Sequence, residues 1–105
     1  MSSRALFEPE ASAELEEAVL WYEARRSGLG MAFLAAVGQA IEHLAARPDS
    51  GVAVPGVPVG LSVRQFPVSR FRYRIAYLIA SQELRVLAVA RSRRRPGYWR
   101  SRTEP

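Results

Sequence analysis

The hydrophobic period of this chain changes across one stretch. Residues 48 to 60 read PDSGVAVPGVPVG, with three Pro and three Gly in thirteen residues, a composition that breaks helix and strand alike and reads as a loop over the surface. Before it, apolar residues recur at helical spacing; after it, they alternate. A chain divided in this way builds a helical unit and then a sheet, and each must cover the apolar face of the other.

The helical half opens with RALF, Arg4 to Phe7, a short first strand. Pro9 then suits the first turn of a helix, with Glu10 and Glu14 near its positive end. Ala11, Leu15, Ala18 and Tyr22 follow at helical spacing and predict a helix from Pro9 to about Arg25. RRSGLG breaks it. Leu34, Val37, Ile41 and Leu44 repeat the spacing until Pro48 ends the second helix. Beyond the loop, LSVRQF reads as a strand, and Phe71, Tyr73, Ile75, Tyr77 and Ile79 alternate along another. A weakly signalled turn at Ser81 and Gln82 leads to LRVLAVA, apolar on both faces as in a central strand. The predicted architecture is α+β: an N-terminal strand and an α-helical hairpin packed on a small, mainly antiparallel sheet in the order β-α-α-β-β-β.

At 105 residues and 49% apolar composition the chain supplies one core, so a single domain over residues 1–105 is expected, with a basic C-terminal segment at 91–105. No signal-peptide pattern opens it and no unbroken apolar run reaches a membrane span, which predicts a cytoplasmic protein with no membrane partner. There is no cysteine and one histidine. A disulfide framework is excluded, a zinc or iron site from one chain lacks donors, and no cofactor is expected.

Charge divides at the same place as the hydrophobic period: residues 1–50 carry net −4 and residues 51–105 net +9. All fifteen basic residues are Arg, so the chain offers guanidinium forks for carboxylates and phosphates but no lysine to act as a base. The basic half calls for an anionic partner.

Several patterns have ordinary readings. GLGMAF, Gly28 to Phe33, begins like a dinucleotide fingerprint but joins two helices and has Phe at the third glycine position. His43 stands beside the apolar stripe of the second helix and reads as structural. Nucleophile elbow, Walker loop and HExxH are all absent, which removes the hydrolase and NTPase classes they mark. Glu14, Glu16, Glu17 and Glu23 read as a solvated face of the first helix. Trp21 and Tyr22 read as core and rim.

The arginines of the second half are different. Arg70, Arg72 and Arg74 alternate with Phe71, Tyr73 and Ile75 and should share one sheet face. With the helices on the aromatic face, the opposite face becomes a bare sheet of guanidinium groups, which Arg64 and Arg91 could join to bind a phosphate backbone or an acidic peptide. After the last strand, RSRRRPGYWRSR turns at Pro96 and Gly97 and carries Tyr98 and Trp99. A disordered basic tail would have fewer aromatics, so at least one ring is expected to be anchored.

From Phe7 to Arg100 the chain resembles the RelE/ParE superfamily of toxins from type II toxin–antitoxin modules, on the ParE, or plasmid-stabilisation, side. The resemblance is carried by WYE ending the first helix, GLGMAFL opening the second, Arg64 ahead of the FRYRIAY strand, and RRRPGYW near the end, in that order and spacing. It implies a growth-inhibiting toxin and a cognate antitoxin whose acidic C-terminal segment wraps it, adding a helix or strand to its surface. ParE-like members poison DNA gyrase, here expected at its A subunit, by binding alone. RelE-like members are metal-independent endoribonucleases that cut mRNA in the ribosome. Arg64, Arg91 and Tyr98 would be the catalytic groups of the second activity, but the lysines of many such RNases are missing and Arg91 stands where relatives often have histidine. The first activity therefore fits better. The expected contact residues for target or antitoxin are Arg64, Arg72, Arg74, Arg91, Arg93, Arg94, Arg95, Tyr98 and Trp99.

Overall fold

A computed structural model describes residues 4–57, 62–93 and 97–103. Strand β1 (Arg4–Phe7) leads into helix α1 (Pro9–Arg25), and helix α2 (Leu29–Ala46) returns along it. A short 3-10 turn (Pro48–Ser50) precedes β2 (Val52–Ala53), β3 (Val63–Pro67), β4 (Tyr73–Ala80) and β5 (Glu83–Arg91), and a second 3-10 turn spans Arg100–Thr103. The sheet has the order β1-β5-β4-β3-β2, with β1 parallel to β5 and the other pairs antiparallel. The two helices packed on a mixed five-stranded sheet make an α+β fold, as the periodicities predict. The added element is β2: Val52 and Ala53, inside the stretch read as loop, pair with Gln65 and Arg64.

Pro9 starts α1 behind an extended Glu8, and Arg26 ends it in extended backbone. The reversal into α2 depends on Gly28, whose φ of +89° a side chain would strain. Glu23, in the last turn of α1, accepts the Gly28 N–H at 2.9 Å and the Gly30 N–H at 3.0 Å. It thereby satisfies donors that the first turn of α2 cannot pair internally, so Glu23, exposed as its place on the helix face predicts, also fastens the hairpin. At Gly30 the helices come so close that a Cβ would stand 2.5 Å from the Val19 carbonyl oxygen.

The buried stripe of α2 is Gly30, Phe33, Val37, Ala40 and Leu44. Leu34, expected within the stripe, is exposed, because the face that meets α1 and the sheet runs through its neighbour Phe33. By length and composition, with a mean hydropathy of 1.4, α2 could cross a membrane. Counting unbroken apolar runs missed this, since Gln39, Glu42 and His43 interrupt it. In the fold its stripe packs in the core.

Two apolar layers sandwich the sheet. Between helices and sheet lie Ala11, Ala18, Phe33, Val37, Leu44, Ile75, Tyr77, Leu84, Val86 and Val89. On the other face, Val63, Ala76, Leu78, Leu87, Ala88 and Trp99 form a second cluster, with Val54, Val57 and Tyr98 packed against it. The bare sheet expected there does not exist: the C-terminal segment covers it. Burial on both faces explains why LRVLAVA shows no alternation.

Tyr77 ties the loop to the sheet. Its hydroxyl donates to the Pro48 carbonyl at 2.6 Å and accepts the Gly51 N–H at 3.0 Å. Burial pushes its pKa above the ordinary 10.0. Replacing Tyr77 with Phe orphans both backbone groups and should cost about 2–3 kcal/mol in urea unfolding at neutral pH. The raised pKa means that the folded state favours the protonated phenol, so this contribution is present below pH 10.0 and lost as pH rises beyond it toward the folded value. The gap between wild type and variant should narrow above that pH; a gap independent of pH would contradict it.

Candidate functional site

A single extra residue in β5 decides where its last side chains point. Opposite β4, Ala76 pairs with Ala88 and Tyr77 with Val86, so Leu87 has no partner across the strand. This β-bulge turns Leu87 and Ala88 together toward the C-terminal layer and returns Val89 to the helix side. Two residues further on, Arg91 shares that side. It meets α1 there, its guanidinium 5.2 Å from the centre of the Trp21 ring and its Nε donating to the Tyr73 hydroxyl at 3.3 Å. That hydrogen bond holds Arg91 above its ordinary pKa.

Trp21 is 39% exposed. Arg25, one turn along α1, places a second guanidinium 4.2 Å from the same ring. Behind Trp21, Tyr22 packs against Phe33, Phe71 and Tyr73 with centroids 5.0, 5.0 and 5.9 Å away. Burial among these rings, with the Tyr73 hydroxyl nearby, raises the Tyr22 pKa against the opposing charges of Arg91 and Arg72. The turn from Val68 to Tyr73 is closed by Val68 N–H to Tyr73 carbonyl at 2.9 Å. Arg70 sits within it at φ +73°, a left-handed conformation that costs a non-glycine residue about 1 kcal/mol.

Two cavities meet at Trp21, Tyr73 and Arg91. The larger, about 730 Å³, has Arg70, Arg72, Arg91 and Arg93 around Trp21, Tyr22 and Phe71. The smaller, about 400 Å³, lies between α1 and the end of β5 and is bordered by Glu14, Glu17, Ala90 and Tyr98. Beyond it, Glu14 fastens the C-terminal segment. Its carboxylate accepts the Val89 N–H at 3.1 Å, the Tyr98 hydroxyl at 2.7 Å and two Arg102 nitrogens at 2.9 and 3.2 Å. Arg102 also donates to the Leu87 carbonyl at 2.9 Å. Burial pulls the Arg102 pKa down, and the hydrogen bond and charge of Glu14 more than offset it. Next to this clamp, Arg85 pairs with Glu8 and donates to the Arg102 carbonyl at 3.1 Å.

The expected arginine cluster is therefore dispersed. Arg72, Arg91 and Arg93 do share the larger cavity. Arg74 points to the other face, donating to the Gln65 side chain and, at 2.7 Å, to the Ser92 carbonyl. The strict alternation starts only at Tyr73, because Arg70 and Arg72 belong to the preceding turn. Arg64 holds the carbonyls of Gly51 at 2.7 Å and Asp49 at 3.4 Å beside a separate pocket. Tyr98 is half-buried, and Trp99, expected as a contact group, is 1% exposed and packs in the second cluster. Gly97 turns the chain with φ +81°, as expected, while Arg94, Arg95 and Pro96 lie outside the described residues. His43 stacks on Phe66 at 5.2 Å with its Nε2 3.0 Å from the Ser50 hydroxyl. The sequence reading missed the structural use of Glu14, for which it carries no signal, and the exposed role of Trp21, for which the Trp21–Arg25 spacing is one.

The model of the family described as ParE toxin of type II toxin-antitoxin system, parDE, matches residues 5–96. No curated protein matches the chain. Among solved structures, the chromosomal ParDE TA system from P. aeruginosa superposes with a TM-score of 0.70 at 15% identity, over 86% of this chain and 96% of that one. At that identity the likeness speaks for the fold.

Proposed function

Because the chain belongs to the ParE toxin family of type II toxin–antitoxin systems, which implies a cognate antitoxin as partner, we propose that it acts in the cytoplasm as a DNA gyrase inhibitor that binds without chemistry of its own. The observation that carries the choice between binding and catalysis is the separation of the three groups that RNA cleavage would use. Arg64 stands opposite Tyr77 of β4, whereas Arg91 stands opposite Tyr73. Four residues along a strand is roughly 13 Å, and β4 lies between the two arginines, adding roughly 10 Å. Tyr98 shares a cavity with Arg91, but its hydroxyl is given to Glu14. A base, a cation and an acid around one phosphate need hydrogen-bond reach of that phosphate, and this set does not converge.

Binding to a protein–DNA complex asks instead for cations and aromatic surface. Arg72, Arg91 and Arg93 offer these in the described region, and Arg94 and Arg95 follow directly in sequence. Purified gyrase titrated with the protein should accumulate linear, gyrase-linked DNA, and the antitoxin should prevent it. Replacing Arg93, Arg94 and Arg95 with Ala should raise the concentration needed about tenfold or more, as loss of several phosphate-directed charges does. No cleavage product at any concentration, or an unchanged titration with a folded triple variant, would overturn the proposal.

A further inference from the structure

Helix α2 is apolar on more sides than the core uses. Of its 18 residues only Glu42 is an acid, and none is Lys or Arg. A helix that is apolar all round is ordinarily buried all round. Here the core takes the stripe from Gly30 to Leu44, while Met31, 63% exposed, and Leu34, 38% exposed, point away from it together with exposed Ala35 and Gly38. Beside them, Leu34 and the exposed Leu20 of α1 border a groove of about 280 Å³ between the two helices.

Gly38 is a second, independent observation on the same face. A glycine inside a helix weakens it relative to alanine, so its presence asks for a reason. Gly30 has one within the chain, since the Val19 carbonyl of α1 leaves no room for a Cβ. Gly38 has none: a Cβ there would meet no described atom within 4 Å, and its backbone is ordinary helix. What a bare backbone on an exposed apolar face permits is the close approach of another element from outside the chain.

We infer that this face is a dimer interface, on which α2 of a second copy of this chain packs antiparallel to α2 about a two-fold axis between Leu34 and Ala35. In that register large side chains meet small ones: Met31 stands opposite Gly38 of the partner subunit, and Leu34 opposite Ala35 of the partner subunit. The same register carries Glu42 to the turn at Arg26 of the partner subunit, ahead of a helix whose first turn holds no acid. The stripe is complementary to itself in size and in charge, as an isologous contact requires. An acidic peptide fits it poorly, because Glu16 borders the groove and Glu42 ends the stripe. Paired helices roughly 27 Å long bury less than a standard interface, so association in the micromolar range is expected. The inference does not use the gyrase reading.

Sedimentation velocity of the full-length protein over a micromolar concentration series should show monomer passing to dimer. Gly38→Met fills the space and favours the helix, so it should weaken the dimer about tenfold while circular dichroism is unchanged and Tm is equal or higher. Glu42→Arg should also weaken it about tenfold, and adding Arg26→Glu should restore it. Within one chain these two residues stand at opposite ends of α2, so exchanging their charges rebuilds a contact only between copies. Monomer at every concentration, an unchanged dimer in Gly38→Met, or no recovery in the double exchange overturns the inference. So does a monomer whose binding to antitoxin or to phosphatidylglycerol vesicles is lost in Gly38→Met, since the face would then belong to that partner. None of these readouts involves gyrase, so failure here and failure of the gyrase assay are separately visible.

Discussion

Trp99→Ala should destabilise the fold by about 3–5 kcal/mol, the range for truncating a large buried aromatic. Trp99 is 1% exposed and is the bulkiest fully buried side chain among the described residues. It sits with Val63, Ala76, Leu78, Leu87 and Ala88, three of them short side chains that cannot collapse into the space it leaves. Because the ring comes from the C-terminal segment, its loss also releases the cover of a sheet face that would then expose apolar surface. In a domain of this size such a loss lowers Tm by at least about 12 °C, read by circular dichroism. Trp99→Phe keeps much of the volume and should retain more than half of the stability. A folded, thermally unchanged Trp99→Ala protein would mean that the C-terminal segment does not cover the sheet. The same variant separates packing from recognition: a defect in target binding that follows stability, and is recovered in Trp99→Phe, places Trp99 in the fold and not at the interface.

The second large effect is at Glu14. Its carboxylate, 19% exposed with Arg102 at 14%, satisfies a strand N–H, a phenol and a guanidinium at once. Glu14→Ala should cost about 3 kcal/mol, the low end for breaking a buried pair, because Arg102 is left partly buried without its counter-charge and Val89 loses an acceptor. Glu14→Gln keeps an acceptor for Tyr98 or Val89 but not the charge, and should fall between. Replacing Glu14 and Arg102 together with Leu and Met removes both charges and should cost less than Glu14→Ala alone. Chemical denaturation of wild type, Glu14→Leu, Arg102→Met and their double variant closes a cycle for the pair, with Glu14→Ala and Glu14→Gln measured beside it. Equal losses in Glu14→Ala and the double variant would show that Glu14 acts without Arg102. A loss near zero in Glu14→Ala would show that the clamp does not exist.

The elements were legible where one local rule governed them. Pro9 and Pro48 bracket the helical hairpin, Gly28 permits its turn, and the alternation from Tyr73 to Ile79 marks β4. The family resemblance rests on the same residues. Less legible was the hairpin turn at Ser81 and Gln82, where both residues adopt positive φ without glycine, as a two-residue connection between twisted strands requires. Leu34 and Val52–Ala53 were misread for a related reason: helical phase and edge pairing depend on what stands opposite, and periodicity sees only one side.

The site divides along the same line. The sequence by itself determined its materials: arginine without lysine, aromatic residues beside them, an acidic half followed by a basic half, and the α+β order of helices and strands. These follow from composition and from short-range backbone preferences, which act within a few residues. Only the tertiary structure decided which arginines meet. A bulge at Leu87 turns Arg91 toward Trp21, the turn before β4 separates Arg72 from Arg74, and Trp99 closes the face on which a bare cluster had been expected. A one-residue change of register reverses every side chain beyond it, and burial of a large ring depends on surface supplied by strands far away in sequence. Neither is encoded in a local pattern.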